Sequence, residues 1–192
     1  GIIKRTELNK YDSNRKGGIN AIVLDEGDEL KWVQMTNGSD QLLIATRDGM
    51  AIRFNETDCR PIGRTARGVK ALTLREGDEV VGMVAVGDNK TLLTVTETGF
   101  GRRSHFDNYR VQSRGGKGII NYRTAKFGKV ASVQAVDQND DAILITSGGI
   151  VIRFYTENVS VISRPGKGLI VMRPDEGTFV KSMELAEHSD EE

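Results

Sequence analysis

Leu42-Leu43-Ile44-Ala45-Thr46, closed by Asp48-Gly49, recurs fifty residues on as Leu92-Leu93-Thr94-Val95-Thr96 with Gly99. After fifty more it returns as Ala142-Ile143-Leu144-Ile145-Thr146 with Gly149. A second apolar track keeps the same register: Leu30, Val80, Val130 and Val180, then Val33, Met83, Val133 and Met183, then Met35, Ala85, Ala135 and Leu185. A third is Gly18, Gly68, Gly118 and Gly168, each followed by Ile19, Val69, Ile119 or Leu169. Three tracks in phase define a repeat, and the repeat governs the fold. Only the first unit is irregular: it lacks the leading apolar strand, and its stretch from Arg5 to Gly18 is two residues shorter than that from Arg53 to Gly68.

Within a unit, Leu42 to Thr46, Met50 to Phe54, Val69 to Leu74 and Val80 to Val86 are short runs rich in Val, Ile, Leu and Thr, separated by turn signals such as Glu76-Gly77-Asp78. Such runs read as strands, and none sustains an apolar 3.6-residue period over the ~10 residues a helix needs. The expected class is therefore all-β, with about four four-stranded blades of propeller type near residues 1–40, 41–90, 91–140 and 141–183, because a small sheet buries its faces only against its neighbours. Trp32 is followed by Val33, so the Trp-Asp signature of WD blades is absent. The glycine pairs Gly17-Gly18, Gly115-Gly116 and Gly148-Gly149 fall at different points of the unit, which disfavours kelch blades.

The chain has 192 residues with 38% hydrophobic and 28% charged side chains, a globular composition long enough for a core without disulfide or metal. Its single cysteine, Cys59, has no internal partner, which suits a reducing cytoplasmic compartment, and no apolar run approaches the ~20 residues of a membrane helix. The start at Gly1 reads as a piece of a longer protein. Net charge is zero, yet residues 184–192 hold five acids and no Lys or Arg, leaving 27 basic against 22 acidic residues in 1–183. A basic body with an acidic tail is expected.

The basic residues share the core's register. Arg53, Arg103 and Arg153 align, as do Arg64, Arg114 and Arg164, and Arg67, Lys117 and Lys167; in the first unit Arg5 takes the first position, and Arg15 and Lys16 fall near the other two. Rotationally related blades turn each series into a row along one rim. The second and third series sit in the loops Gly63-Arg64-Thr65-Ala66-Arg67-Gly68, Ser113-Arg114-Gly115-Gly116-Lys117-Gly118 and Ser163-Arg164-Pro165-Gly166-Lys167-Gly168. Glycines let backbone N–H groups approach phosphate oxygens, and flanking cations neutralise them. The candidate DNA-binding residues are thus Arg15, Lys16, Arg53, Arg64, Arg67, Arg103, Arg114, Lys117, Arg153, Arg164 and Lys167. For Arg53, Arg103 and Arg153 a strand-edge charge that blocks edge pairing is an equal alternative. Gly115-Gly116-Lys117-Gly118 lacks the Ser or Thr and the strand-loop-helix setting of a nucleotide-binding loop.

The fifty-residue period, Gly63-Arg64-Thr65-Ala66-Arg67-Gly68-Val69, Gln112-Ser113-Arg114-Gly115-Gly116-Lys117-Gly118 and the acidic end together resemble the C-terminal domain of DNA gyrase A across essentially the whole chain. The resemblance implies a β-pinwheel, a propeller-like ring whose blades exchange strands and whose rim binds and wraps double-stranded DNA without reading sequence. It implies a parent that uses ATP and magnesium elsewhere to introduce negative supercoils, with the remainder of gyrase A and with gyrase B as partners, in the bacterial cytoplasm at the nucleoid. Residues 112–118 match the family's seven-residue box at six positions, with Ser113 in place of a basic residue. The resemblance places them in the next-to-last blade of a six-blade wheel whose true box lies upstream. Topoisomerase IV carries a similar domain and is the alternative parent.

No catalytic constellation accompanies these features. His105 lies in a polar turn and His188 in the acidic tail, Cys59 has no histidine near it, and the acidic groups at Asp25 to Asp28 and Glu76 to Asp78 share a turn register. Neither a cofactor nor a metal is expected in this stretch. The rival from another class is a propeller scaffold whose basic loops meet an acidic protein partner or the chain's own tail. Four units fall short of a six-blade ring, so an open arc with edges free to pair between copies is expected.

Overall fold

The computed structural model describes residues 1–187. In chain order the strands are β1 (Ile2–Ile3), β2 (Gln41–Thr46), β3 (Met50–Asn55), β4 (Val69–Lys70), β5 (Val80–Ala85), β6 (Thr91–Thr96), β7 (Phe100–His105), β8 (Ile119–Ile120), β9 (Val130–Val136), β10 (Asp140–Thr146), β11 (Val151–Tyr155), β12 (Leu169–Ile170) and β13 (Val180–Glu187). One α-helical turn, α1 (Thr124–Phe127), stands where the repeat predicts only strand and turn.

Each unit lends its third strand to its predecessor. The sheets are ordered β5-β2-β3-β8 and β12-β7-β6-β9, so β8 and β12 close the outer edge of the blade before them, and β4 does the same for β1. At the opposite edge β5 packs against β9, and β9 against β13, which places these strands innermost and the lent strands at the periphery. Blade exchange is therefore a property of the chain.

The period-2 alternation of the leading strands divides the core between units. Leu42 and Ile44 face one way and join Ile52, Phe54, Cys59, Ala71 and Leu72. Leu43 and Ala45 face the other and meet Leu92, Tyr109, Tyr122, Val130 and Val133 of the next unit. Leu93 and Val95 repeat this against Ala142, Leu144, Val159 and Met183. Strands sandwiched between blades are buried on both faces, so β2 and β6 read as continuous apolar runs. In β11, by contrast, Val151 and Tyr155 are exposed, for no further unit covers that face among the described residues.

The turn after each leading strand is built alike. Gly49, Gly99 and Gly149 have φ of +83°, +86° and +85°. A side chain there would be strained, and at Gly99 a Cβ would come within 2.0 Å of the Met172 carbonyl oxygen. That close approach docks the hairpin on the next unit, where the Val171 N–H donates to Gly99 O at 2.9 Å, as the Asn121 N–H does to Gly49 O at 2.7 Å.

The all-β class and propeller-like architecture hold, but the strand count departs from four blades of four. The described residues form two four-stranded sheets, the three-stranded β11-β10-β13 and the two-stranded β1-β4. Among the described residues the last blade has no lent outer strand. Unit one has no counterpart of β2 on which an inner strand could pair, so residues 12–40 form no strand, and Leu30, Val33 and Met35 are exposed beside a cleft of about 1070 Å³. At the other end, β13 pairs with β10 as far as Glu187, so the strand continues through residues that composition assigns to the acidic tail. The rest of that tail, residues 188–192, lies outside the described residues.

Candidate nucleic-acid interface

The three cation series part company in three dimensions. Arg53 sits in the seam between blades: its Nη1 donates to the carbonyls of Phe106 at 2.7 Å and Tyr109 at 3.3 Å, and its Nε to Gln41 Oε1 at 2.8 Å. Arg103 is 7% exposed and reaches the carbonyls of Val159 at 2.7 Å and Glu157 at 3.2 Å; burial pushes its guanidinium below the ordinary arginine value. Arg5 does the same toward Glu56 and Cys59 and adds an ion pair with the Glu56 carboxylate at 3.0 Å. In each case the arginine of one unit caps the 3-10 turn of the next, whose last carbonyls need donors. The structure thus engages Arg53 and Arg103, expected at a DNA contact, with seam carbonyls, and five rigid donors suit them to bridging carbonyls across a seam. Arg153, in the last unit, is exposed and pairs within its own sheet with Asp141 at 2.6 Å.

The second series reaches back toward the preceding unit. Arg114 donates to the carbonyls of Asp58 and Lys70, each at 2.9 Å, Arg164 to those of Asn108 at 2.7 Å and Ile120, and Arg64 to that of Asn20 at 2.8 Å. These side chains are half-buried, and Arg164 lies 5.5 Å from the ring centre of Tyr109. They brace the loops, leaving part of each guanidinium at the surface.

The third series is the exposed one. Arg67, Lys117 and Lys167 project from the loops that lead into β4, β8 and β12, at the outermost edge of successive blades, and Arg15 and Lys16 are exposed in unit one. The following residues Gly68, Gly118 and Gly168 all have positive φ, +114°, +74° and +75°. Arg67 pairs with Asp25 at 2.6 Å, an exposed contact of little strength that a phosphate can displace. Lys167 leans over Phe100, 5.0 Å from the ring centre.

Sequence reasoning missed Arg60 and Arg110, exposed beside the same loops and fifty residues apart; Ser160 breaks that series in the last unit, which hid it. It also missed a buried polar cluster around Arg102, signalled only by a departure from the Ile that stands at positions 2, 52 and 152. Cys59 is a buried core residue whose thiol is pushed up by burial. Among the described residues no three His, Cys, Asp or Glu side chains gather as a metal site, and no helix is long and apolar enough to cross a membrane.

The family model described as DNA gyrase C-terminal domain, beta-propeller, matches residues 1–37, 40–86, 90–137 and 140–184, one segment for each unit of the repeat. The DNA gyrase A protein of Halalkalibacterium halodurans is 56% identical over 68 residues, and that of Clostridium acetobutylicum 52% over 68; the match covers 35% of this chain and 8% of either relative's length. The structure of a DNA gyrase A C-terminal domain superposes with a TM-score of 0.79 at 27% identity, over 88% of this chain and 58% of that one. The C-terminal domain of DNA topoisomerase IV gives a TM-score of 0.91 at 23% identity, over 98% and 59%, a likeness of fold.

Proposed function

The chain belongs to the DNA gyrase C-terminal domain family, and from that premise we propose that it binds and bends double-stranded DNA along its outer rim, without catalysis of its own. The observation that carries this reading is the exposed row Arg67, Lys117 and Lys167, each before a positive-φ glycine on the outermost loop of a successive blade. Cations repeated around a curved edge match the repeat of a phosphate backbone and read no bases. Arg60, Arg110, Arg15 and Lys16 extend the positive edge, while the seam arginines keep the blades at a fixed angle so that the curvature of the rim sets the path of the duplex.

In the parent protein this bending supports ATP-dependent negative supercoiling with the remainder of gyrase A and with gyrase B, in the bacterial cytoplasm at the nucleoid, ATP and magnesium being used on other segments. Exposed β11 and the exposed inner register of unit one are the edges through which copies would associate. The test is charge reversal at the exposed row. Arg67→Glu, Lys117→Glu and Lys167→Glu together are expected to abolish binding of a duplex of about 30 base pairs at about 50 mM salt, with the far-UV dichroism unchanged. Undiminished affinity would refute the rim, and capture of an acidic protein without any DNA affinity would favour the scaffold alternative.

A further inference from the structure

Arg102 is fully buried and has no carboxylate partner among the described residues. Its Nη2 donates to the backbone oxygen and Oδ1 of Asn121 at 2.9 and 2.8 Å and lies 3.4 Å from Tyr109 Oη; its Nη1 donates to the Gly166 carbonyl at 3.1 Å. The guanidinium carbon stands 4.7 Å from the ring centre of Tyr122, whose hydroxyl donates to the Lys167 carbonyl. Tyr109 donates to Asn121 Oδ1 at 2.6 Å, and Asn121 to Thr94 at 3.2 Å. Burial pushes the Tyr122 hydroxyl up to about 12, so it remains a donor at neutral pH.

The repeat predicts none of this. At the registers of Arg102, Asn121, Tyr109, Tyr122 and Thr94, unit two carries Ile52, Ala71, Cys59, Leu72 and Ile44, all buried. A packed apolar core serves stability at least as well as a buried charge, so stability does not account for the cluster. What the cluster does is grip the two carbonyls of the Ser163–Gly168 loop that flank its cation. Because a trans peptide sets N–H opposite C=O, turning the Gly166 and Lys167 carbonyls inward aims the N–H groups of Lys167 and Gly168 outward. Gly168 has the positive φ of an anion-binding nest. An uncompensated cation in a low-dielectric interior also projects its potential through the loop above it. In the equivalent Ser113–Gly118 loop the Gly116 carbonyl, counterpart of that of Gly166, meets only the neutral N–H of Thr73 at 2.9 Å, and Leu72, at the position of Tyr122, has no hydroxyl to hold the Lys117 carbonyl.

We propose that the Ser163–Gly168 loop, held from below by Arg102 and Tyr122, is a built phosphate seat and the anchoring contact of the rim, with the Lys167 and Gly168 N–H groups and the Lys167 ammonium as its ligands. The inference rests on the DNA-binding reading for the source of the phosphate, and on the geometry alone for the seat. Arg102 acts through the loop as a positioning residue. Titration of the protein with inorganic phosphate, followed by backbone amide resonances, is expected to half-saturate Lys167 and Gly168 at about a tenfold lower concentration than Lys117 and Gly118, the worth of one added charge-assisted hydrogen bond. A short duplex is expected to displace the phosphate.

Arg102→Met is expected to erase the difference while leaving the response of Lys117 and Gly118 unaltered. Should that variant not fold, Arg102→Ile with Asn121→Ala, Tyr109→Val and Tyr122→Leu restores an apolar core of the kind the chain already uses. Equal half-saturation of the two loops in the unaltered protein would overturn the proposal, as would a folded variant that keeps the difference. Phosphate seated at Lys167 with no duplex bound would instead refute the DNA reading and leave the seat standing.

Discussion

Glu56 has a side chain 2% exposed and accepts hydrogen bonds from the N–H groups of Gly38 and Asp40, each at 2.8 Å, and from the Thr36 hydroxyl at 2.8 Å, beside the Arg5 guanidinium. Burial alone would raise its pKa, but these donors and the arginine outweigh it and hold the carboxyl below its ordinary 4.5. The unfolded chain then takes up a proton before the folded one as pH falls. The contribution of Glu56 is complete above the ordinary carboxylate range and is lost as pH drops through the depressed folded value. Glu56→Gln is expected to lower stability by about 2 kcal/mol near neutral pH. Urea midpoints at about pH 7 and about pH 3 test this: the variant's deficit should shrink at the lower pH, and a deficit of equal size at both would show that the charge contributes nothing. No acid stands at the same register in the other units, where Phe106 and Thr156 replace Glu56, so this clamp is peculiar to the seam that holds the strand-poor first unit.

Arg5, Arg53 and Arg103 link consecutive elements, Arg53 and Arg103 from the second strand of their units and Arg5 from the segment after β1, each to the 3-10 turn of the next unit. Arg103→Ala removes the donors from the carbonyls of Val159 and Glu157, one of them deep in the seam, and is expected to cost about 2 kcal/mol. Arg103→Lys should rescue little, because an ammonium cannot span two carbonyls as a planar fork does. At matched concentrations of folded protein, DNA affinity is expected to stay within about twofold of the unaltered chain, since a side chain bound in the seam meets no phosphate. A large loss of affinity with stability intact would return Arg103 to the rim. The same bulge recurs at Ala45/Thr46, Val95/Thr96 and Ile145/Thr146, where each threonine hydroxyl accepts the N–H of the residue four positions on, Met50, Phe100 or Ile150, at 3.1 to 3.2 Å. The threonine that ends each leading strand is thus part of the hairpin and not only a β-former.

Across the whole molecule, charge is segregated: seam and brace arginines are bound to carbonyls, and the exposed cations beside the outer loops include Arg15, Lys16, Arg60, Arg67, Arg110, Lys117 and Lys167. If each meets one phosphate, the logarithm of affinity should fall against the logarithm of salt concentration with a slope of about −6, with little dependence on sequence. Fluorescence anisotropy between about 50 and 200 mM salt measures it. A slope near zero would remove the backbone-binding reading, and a slope of about −9 would bring the half-buried Arg64, Arg114 and Arg164 into the contact.

The repeat, the all-β class and the loops that lead into the lent strands were legible in the 192 residues alone. Fifty-residue periodicity and period-2 alternation are local signals, written in residue types and distances along the chain. Which arginines face solvent was not legible. Arg53 and Lys117 both lie in basic, strand-adjacent stretches, and only the packing of one blade on the next decides that the first meets two carbonyls and the second meets water. The missing strands of the first blade, the exposed face of β11 and the charge buried at Arg102 likewise depend on neighbours contributed by residues about fifty positions away. Sequence determines what each unit can form, and tertiary structure decides which of its polar groups remain free to bind anything else, because a hydrogen-bond donor taken by a carbonyl in a seam is lost to a ligand.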